Sequence, residues 1–336
     1  MTQTDGPRRN LPSDLSRIAV IGAGMSGLAC AARLAEAGLQ VIVYEKSRGV
    51  GGRIATRRTP ENLQFDHGAQ YFTAASPAFQ DFTSDQLLAG NLEHWWPDGR
   101  PETARAGWLV GRPSMNAFLK PIARHLTVEL KTRVADIAPE KGGWRLSFDE
   151  RNDTEHFSAV IVTAPAPQAQ ALTTASPLLQ KRLDGIRIAP CWALMLAVSS
   201  SDEAWPAVLA DPHPDIAWMA RNSSKPGRAP LPDTWVVHAS PEFSDRYLEG
   251  EPDAIAAQLK KTALPLAGHQ DSQVVYAKAH RWRYARTLQA AGTPFLSDET
   301  GTLIAAGDWC LGARVESAFE SGRAAAEFMI GKLPSA

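Results

Sequence analysis

Three glycines with G-x-G-x-x-G spacing, Gly22, Gly24 and Gly27, follow the apolar run Arg17–Ile21 and precede an apolar helical repeat. In that context the first glycine allows a tight turn, the second lets the backbone approach a pyrophosphate, and the third lets helix and strand pack closely. The free N–H groups at the helix start, around Met25 and Ser26, and the helix dipole favour negative charge there. Glu45 stands at the end of the next apolar run, Gln40–Tyr44, followed by Lys46. Its carboxylate is placed to accept hydrogen bonds from a ribose diol. Gly51 and Gly52 would admit a second stretch of backbone to the pyrophosphate, and Arg53 would neutralise phosphate or cover a ring. Together these residues predict a dinucleotide site.

The elements that must position them are legible in part. Leu28, Ala31, Ala32, Leu34 and Ala35 recur at helical spacing and Gly38 ends the helix. This makes one βαβ unit without its third strand. Residues 46–72 read as a functional loop region. A helix is expected over 114–126, then an antiparallel set from Thr127–Leu130, Val134–Ala138 and Gly143–Phe148. Ala159–Val162 is a buried strand that Thr163-Ala164-Pro165 terminates. Cys191–Ser199, Thr234–Ala239 and Gln273–Ala279 read as strands, 251–264 as an amphipathic helix, and the proline-rich stretches 206–214 and 226–232 as loops. Thr302–Ala306 returns to a buried strand, followed by Gly307-Asp308-Trp309 and a helix from Val315 to Ile330. The expected division is a loose tail at 1–16, a dinucleotide-binding domain from 17–75, 110–168 and 298–334, and a substrate domain from 76–109 and 169–297.

The chain has 336 residues and a net charge of −1, so no bulk field points to nucleic acid or anionic lipid. Cys30, Cys191 and Cys310 are too widely spaced for a zinc site or a disulfide framework and read as buried thiols in a reducing compartment. No apolar run of ~18 residues occurs, so no membrane span is expected. Arg8-Arg9 is not followed by a signal-peptide core, and the expected location is cytoplasmic. Among ten tryptophans, some are expected to line a pocket for a flat ligand.

The stretch Gly51-Gly52-Arg53 after Glu45 resembles the extended fingerprint of the monoamine oxidase and flavin amine oxidoreductase superfamily. That resemblance implies FAD, an α/β fold with a Rossmann-like FAD-binding domain, and a second domain on a mixed or antiparallel sheet. This is the two-domain architecture of p-hydroxybenzoate hydroxylase and the amine oxidases. It further implies adenine contacts at Val134, a dinucleotide-facing turn at Thr163, and a ribityl contact at Asp308. The helix start at Val315, Glu316 and Ala318 would then face the flavin. No cysteine lies in a context used for covalent attachment, so FAD is expected to be non-covalent.

Taken across the chain, a longer series of motifs looks like the renalase family. It comprises Gly22–Gly27, Gly51–Arg53, Asp66-His67-Gly68-Ala69-Gln70-Tyr71-Phe72, Val236-Val237-His238-Ala239-Ser240, Arg281-Trp282-Arg283-Tyr284 and Gly307-Asp308. This resemblance implies oxidation of the 1,2- and 1,6-dihydro isomers of NAD(P)H by hydride transfer to flavin N5, with O2 returning as H2O2. Ala69, Gln70 and Tyr71 would lie beside the isoalloxazine. Arg221, Asn222 and Trp282 would lie on the substrate side, with His238, Tyr284 and Trp309. The implied partners are a small-molecule substrate and O2, with neither nucleic acid nor membrane. The rivals are an amine oxidase, for which Lys278 is the candidate lysine near N5, an oxidase of greasy substrates, and a flavin-binding sensor or interaction module using Trp95-Trp96 and the proline loops.

Overall fold

Short apolar runs bounded by glycine and proline become strands buried on both faces when helices cover them. The computed structural model describes residues 17–99, 107–149, 151–200 and 205–332, so the expected tail at 1–16 lies outside the described residues. Arg17–Ile21 is central in a six-stranded sheet, parallel to Gln40–Glu45 on one side and to Ala159–Val162 on the other. Leu303–Ala305 extends the parallel set, and Leu296–Ser297 closes that edge antiparallel. The helix Met25–Glu36 follows the first strand and ends before Gly38, whose φ of +85° suits the turn.

The expected α/β two-domain class is what the chain adopts, with local corrections. Thr127–Leu130 is not part of a small antiparallel set. It pairs parallel with Gln40–Glu45 and is the missing third strand of the βαβ unit, reached only after the long excursion from Lys46. The antiparallel set is instead Val134–Glu140, Gly143–Phe148 and Thr154–Phe157. The helix expected over 114–126 shrinks to Leu119–Arg124. Upstream, the Met115 amide bonds to Thr56 Oγ1 and Asp66 Oδ1, and the Asn116 side chain to the Val50 carbonyl, which hold the segment in turns.

A second, five-stranded antiparallel sheet runs in the order Val208–His213, Ile216–Arg221, Asp233–Ala239, Arg187–Val198, Val274–Gln289. The stretch 206–214, expected as loop, holds the edge strand of this sheet. Pro212 is tolerated there because the register is interrupted between Ala210 and His213. The last strand continues past Ala279 to Gln289, its length hidden in the sequence by arginines. One face of this sheet packs on helices Pro241–Arg246 and Pro252–Leu266 through residues such as Trp192, Trp235 and Leu259. The other faces the first domain.

The closing helix Val315–Gly331 lies against Met25–Glu36, close enough that a Cβ on Gly322 would sit 2.1 Å from the Ser26 carbonyl. Helix Pro77–Leu88 packs on it through Phe79 and Phe319, with ring centroids 5.0 Å apart. Substituting Gly322→Ala forces these helices apart and is expected to lower the unfolding free energy by about 2–3 kcal/mol in urea titrations, as overpacked contacts do.

Candidate functional site

The carboxyl ends of the parallel strands and the open face of the second sheet enclose a cavity of about 2150 Å³. Ordinary small-molecule pockets span roughly 300–1,000 Å³, so there is room for a dinucleotide and a second ring. At the Rossmann end Gly22 takes a φ of +109°, and a Cβ on Gly27 would lie 1.9 Å from the Gly22 carbonyl. Gly27 is therefore the packing glycine beneath the cavity wall. Gly24 has nothing within 4 Å of a Cβ position, which leaves open space over the helix start. Ser26 Oγ is buried there without a partner, and Met25 lines the same space. Thr163 Oγ1 donates to the Ile21 carbonyl at 2.9 Å and locks the turn from below. These features fit a bound pyrophosphate.

Glu45 is buried, and its carboxylate accepts from the Ala23 amide at 2.9 Å and the Ser47 amide at 2.8 Å. It thus ties the glycine loop to the strand end, while each oxygen keeps a lone pair for a ribose hydroxyl. Lys46, Gly52 and Val134 line the same end. Arg53 and Asp308 face each other: Nη1 lies 3.1 Å from Oδ2, Nη2 meets Oδ1, and Thr287 Oγ1 donates to Oδ2 at 3.2 Å. The two expected contacts are therefore one pre-formed ion pair on the cavity wall. Ala69 donates its amide to the Arg53 carbonyl at 2.9 Å, so the 66–72 loop lies directly on the Gly51–Arg53 turn. Val315 and Ala318 line the cavity, whereas Glu316 turns away to accept the Ala75 and Ser76 amides.

Register builds the opposite wall. Trp218 pairs with His238, His238 with Ala193, and Ala193 with His280, which puts three rings in one row across the sheet. Cys191 and Trp282 form another cross-strand pair. The His67 carbonyl accepts from Trp282 Nε1 at 2.9 Å and from His238 Nε2 at 3.2 Å. Because a carbonyl only accepts, His238 carries its proton on Nε2. His67, His280 and Trp282 cluster with centroids 4.6–4.9 Å apart. Tyr71 also lines the cavity and stacks on Trp108 at 3.7 Å. Burial pushes the imidazoles down, His67 to about 3 with help from His280 and Arg57, and His238 and His280 each to about 4. All three are neutral near pH 7.

Gln70, Tyr284, His238 and Trp282 line the cavity, whereas Arg221, Asn222 and Trp309 do not. Arg221 is drawn into the sheet's helix-covered side, beside Asp233 at 3.5 Å and over the Trp235 ring. Asn222 is fully buried and braces the 64–66 segment, accepting the Asp66 amide and donating to the Gln64 carbonyl. Trp309 is core, its indole N–H on the Ala164 carbonyl at 3.0 Å. Lys278 is exposed and pairs with Asp253 at 2.8 Å, so it is not a lysine of the cavity. Cys30 and Cys310 are buried, while Cys191 lines the cavity. Of the proposed interaction surface, Trp95 is buried and Trp96 is exposed.

Sequence reasoning missed the network behind Gln70. Asp66 is wholly buried and accepts from Thr56 Oγ1 at 2.6 Å and Arg228 Nη2 at 2.5 Å, with Lys225 Nζ at 3.4 Å. Lys225 also donates to Gln70 Oε1 at 3.1 Å. Burial raises the Asp66 carboxyl, but Lys225 and Arg228 outweigh it and hold the group well below the usual carboxylate range. Burial lowers Lys225 to about 8. The stabilisation from Asp66 is therefore full above about pH 4, its unfolded value, and is lost as pH falls through the lower folded value. Asp66→Asn leaves two buried cations uncompensated and is expected to cost about 3–5 kcal/mol. Urea unfolding between pH 3 and 7 should show that loss at neutral pH and a shallower decline in acid.

Residues 92–330 match the family model of flavin-containing amine oxidoreductases, and residues 20–85 that of an NAD(P)-binding Rossmann-like domain. The chain belongs to the flavin-containing amine oxidoreductase family. Membership of that family implies FAD as the cofactor. A flavin-containing monooxygenase of Aspergillus flavus is 26% identical over 168 residues, covering 45% of this chain and 36% of that protein. A 4,4'-diapophytoene desaturase of Staphylococcus aureus is 38% identical over 76 residues, covering 20% and 15%. The matches thus span well under two thirds of these relatives. Cyclohexylamine oxidase from Brevibacterium oxydans has a similar fold, with a TM-score of 0.73 at 13% identity, covering 94% of this chain and 99% of that one. A putrescine oxidase variant gives 0.71 at 13% identity, with the same coverage. No helix among the described residues is long and apolar enough to cross a membrane.

Proposed function

We propose that this protein is an oxidase of the renalase type, acting on the 1,2- or 1,6-dihydro isomers of NAD(P)H. The charge of the cavity carries the reading. Among the described residues, ten cationic side chains line it, including Arg48, Arg57, Arg58 and Arg286, against four carboxylates: Glu45, Asp149, Asp211 and Asp308. The whole chain has a net charge of −1, so this excess is local. Such a field attracts a second phosphate-bearing molecule after the FAD pyrophosphate is accommodated, and it opposes an ammonium substrate. The order of renalase-like motifs along the chain supports the same substrate.

Bound FAD supplies a two-electron acceptor that takes hydride and passes the electrons to O2, giving H2O2. The chain's part is placement. Trp282, fixed by the His67 carbonyl, offers a flat face to a nicotinamide ring, and the Tyr71–Trp108 stack lines the same cavity. A dihydropyridine is already a hydride donor, so neutral His67, His238 and His280 suffice without proton transfer. Non-covalent attachment belongs to the same proposal: Cys310 sits in the core, and FAD is expected in the supernatant after denaturation.

The rival amine oxidase reading draws on the family and on the fold of cyclohexylamine oxidase. Anaerobic titration separates the two. At least one dihydro isomer should bleach the flavin absorbance much faster than ordinary 1,4-NADH does. If neither isomer outpaces 1,4-NADH, the proposal fails. Bleaching by benzylamine or spermine instead would establish the amine oxidase, and bleaching by nothing would favour a binding role.

A further inference from the structure

Of the described cationic side chains on the cavity wall, only Arg53, Arg57 and Arg281 are half-buried. Arg53 is paired with Asp308 and Arg281 with Glu249. Arg57 has no carboxylate within ion-pair distance among the described residues. Its hydrogen-bond contact is Nη2 to His280 Nδ1 at 3.4 Å. A guanidinium has no acceptor, so His280 accepts at Nδ1 and remains neutral in that pairing. The position is also rigid. Arg57 pairs with Phe65 in a two-stranded ribbon, and Phe65 stacks on Tyr276 with centroids 5.4 Å apart. Tyr276 lies on the strand Val274–Gln289, which continues to His280 and Trp282.

Next to this guanidinium, His67 is a neutral, 4% exposed ring that lines the cavity. A half-buried cation braced by neutral rings lacks a counter-charge, which an anion in the cavity would supply. We infer that Arg57, braced by His280 and flanked by His67, is a substrate-anion subsite that recognises the phosphate of the dihydronicotinamide substrate beside the Trp282 ring wall. The inference deepens the proposed function and rests on it for the identity of the reductant. Arg57 selects substrates that carry phosphate and leaves the chemistry of the ring unchanged.

The test compares holoenzyme with Arg57→Gln and Arg57→Lys. The reductants are 1,6-dihydro-NAD and 1,6-dihydro-1-methylnicotinamide, the latter without phosphate. Arg57→Gln should raise the half-saturating concentration of the dinucleotide about ten-fold or more, the usual effect of losing a charged hydrogen bond. Reduction by the methyl compound should stay within two-fold of wild type, which also shows that the variant is folded. Arg57→Lys should recover part of the dinucleotide effect. Equal losses on both reductants, or no loss on either, would overturn the subsite. A second readout does not need turnover: inorganic pyrophosphate titrated against tryptophan fluorescence should bind wild type and weaken about ten-fold in Arg57→Gln. If neither dihydronicotinamide reduces the wild-type flavin but pyrophosphate binding still depends on Arg57, the reductant is wrong and the subsite stands. Pyrophosphate binding that is absent, or identical in both proteins, removes the subsite.

Discussion

A single buried carboxylate holds the centre of the molecule together. Asp66 has no exposed surface, and two cations, a threonine hydroxyl and a backbone amide converge on it. Those donors come from separate stretches of chain, so one charge fixes the mutual position of the Gly51–Arg53 turn, the 111–116 turn and the loop after Arg221. The residue next to it, His67, turns the same anchoring toward the second sheet. Its carbonyl collects Trp282 and His238, and its backbone neighbours Gly68 and Ala69 rest on Arg53. The dinucleotide end and the ring wall are thus referenced to the same two residues. Burying a charge in this way is favourable only with its partners complete, so the surrounding loops are tied to one another through it.

How much of this is legible in the sequence depends on the range of the interaction. Gly22–Gly27 and Glu45 are readable because neighbours a few residues away set their role. The central strands are readable because burial on both faces leaves unbroken apolar runs. Thr127–Leu130 goes to the wrong sheet because an edge strand of four residues carries no mark of which sheet it joins. The row of Trp218, His238 and His280 is only partly visible, since it exists through cross-strand register between segments far apart in the chain. Arg221 and Asn222 are placed on the substrate side by family resemblance, yet their polar atoms are engaged with Asp233, Asp66 and Gln64. Lys225 and Arg228 sit in a proline-bounded loop, where a charge reads as solvated. Only the fold brings them to a buried acid.

The two halves divide the labour unequally. Glycines and backbone amides shape the Rossmann end, which leaves few side chains free to vary. The opposite wall is made of side chains on regular strands, each replaceable without disturbing its neighbours' backbone hydrogen bonds. A family can hold the first constant and change the second, and this fits a chain whose fold matches amine oxidases at 13% identity.

The order of strands in the main sheet has a consequence for how the protein is made. Arg17–Ile21, the earliest strand among the described residues, lies at the centre, and its neighbour Ala159–Val162 is flanked by Leu303–Ala305 from much later in the sequence. The closing helix that packs on the first helix is later still. During synthesis the glycine turn therefore waits, with its apolar neighbours uncovered, until the segment from Leu303 to the closing helix has emerged. The cavity is complete only once the segment that carries Asp308, Val315 and Ala318 is in place. Cofactor loading then follows synthesis of this segment, and a nascent chain halted before residue 303 lacks the wall that Asp308 provides.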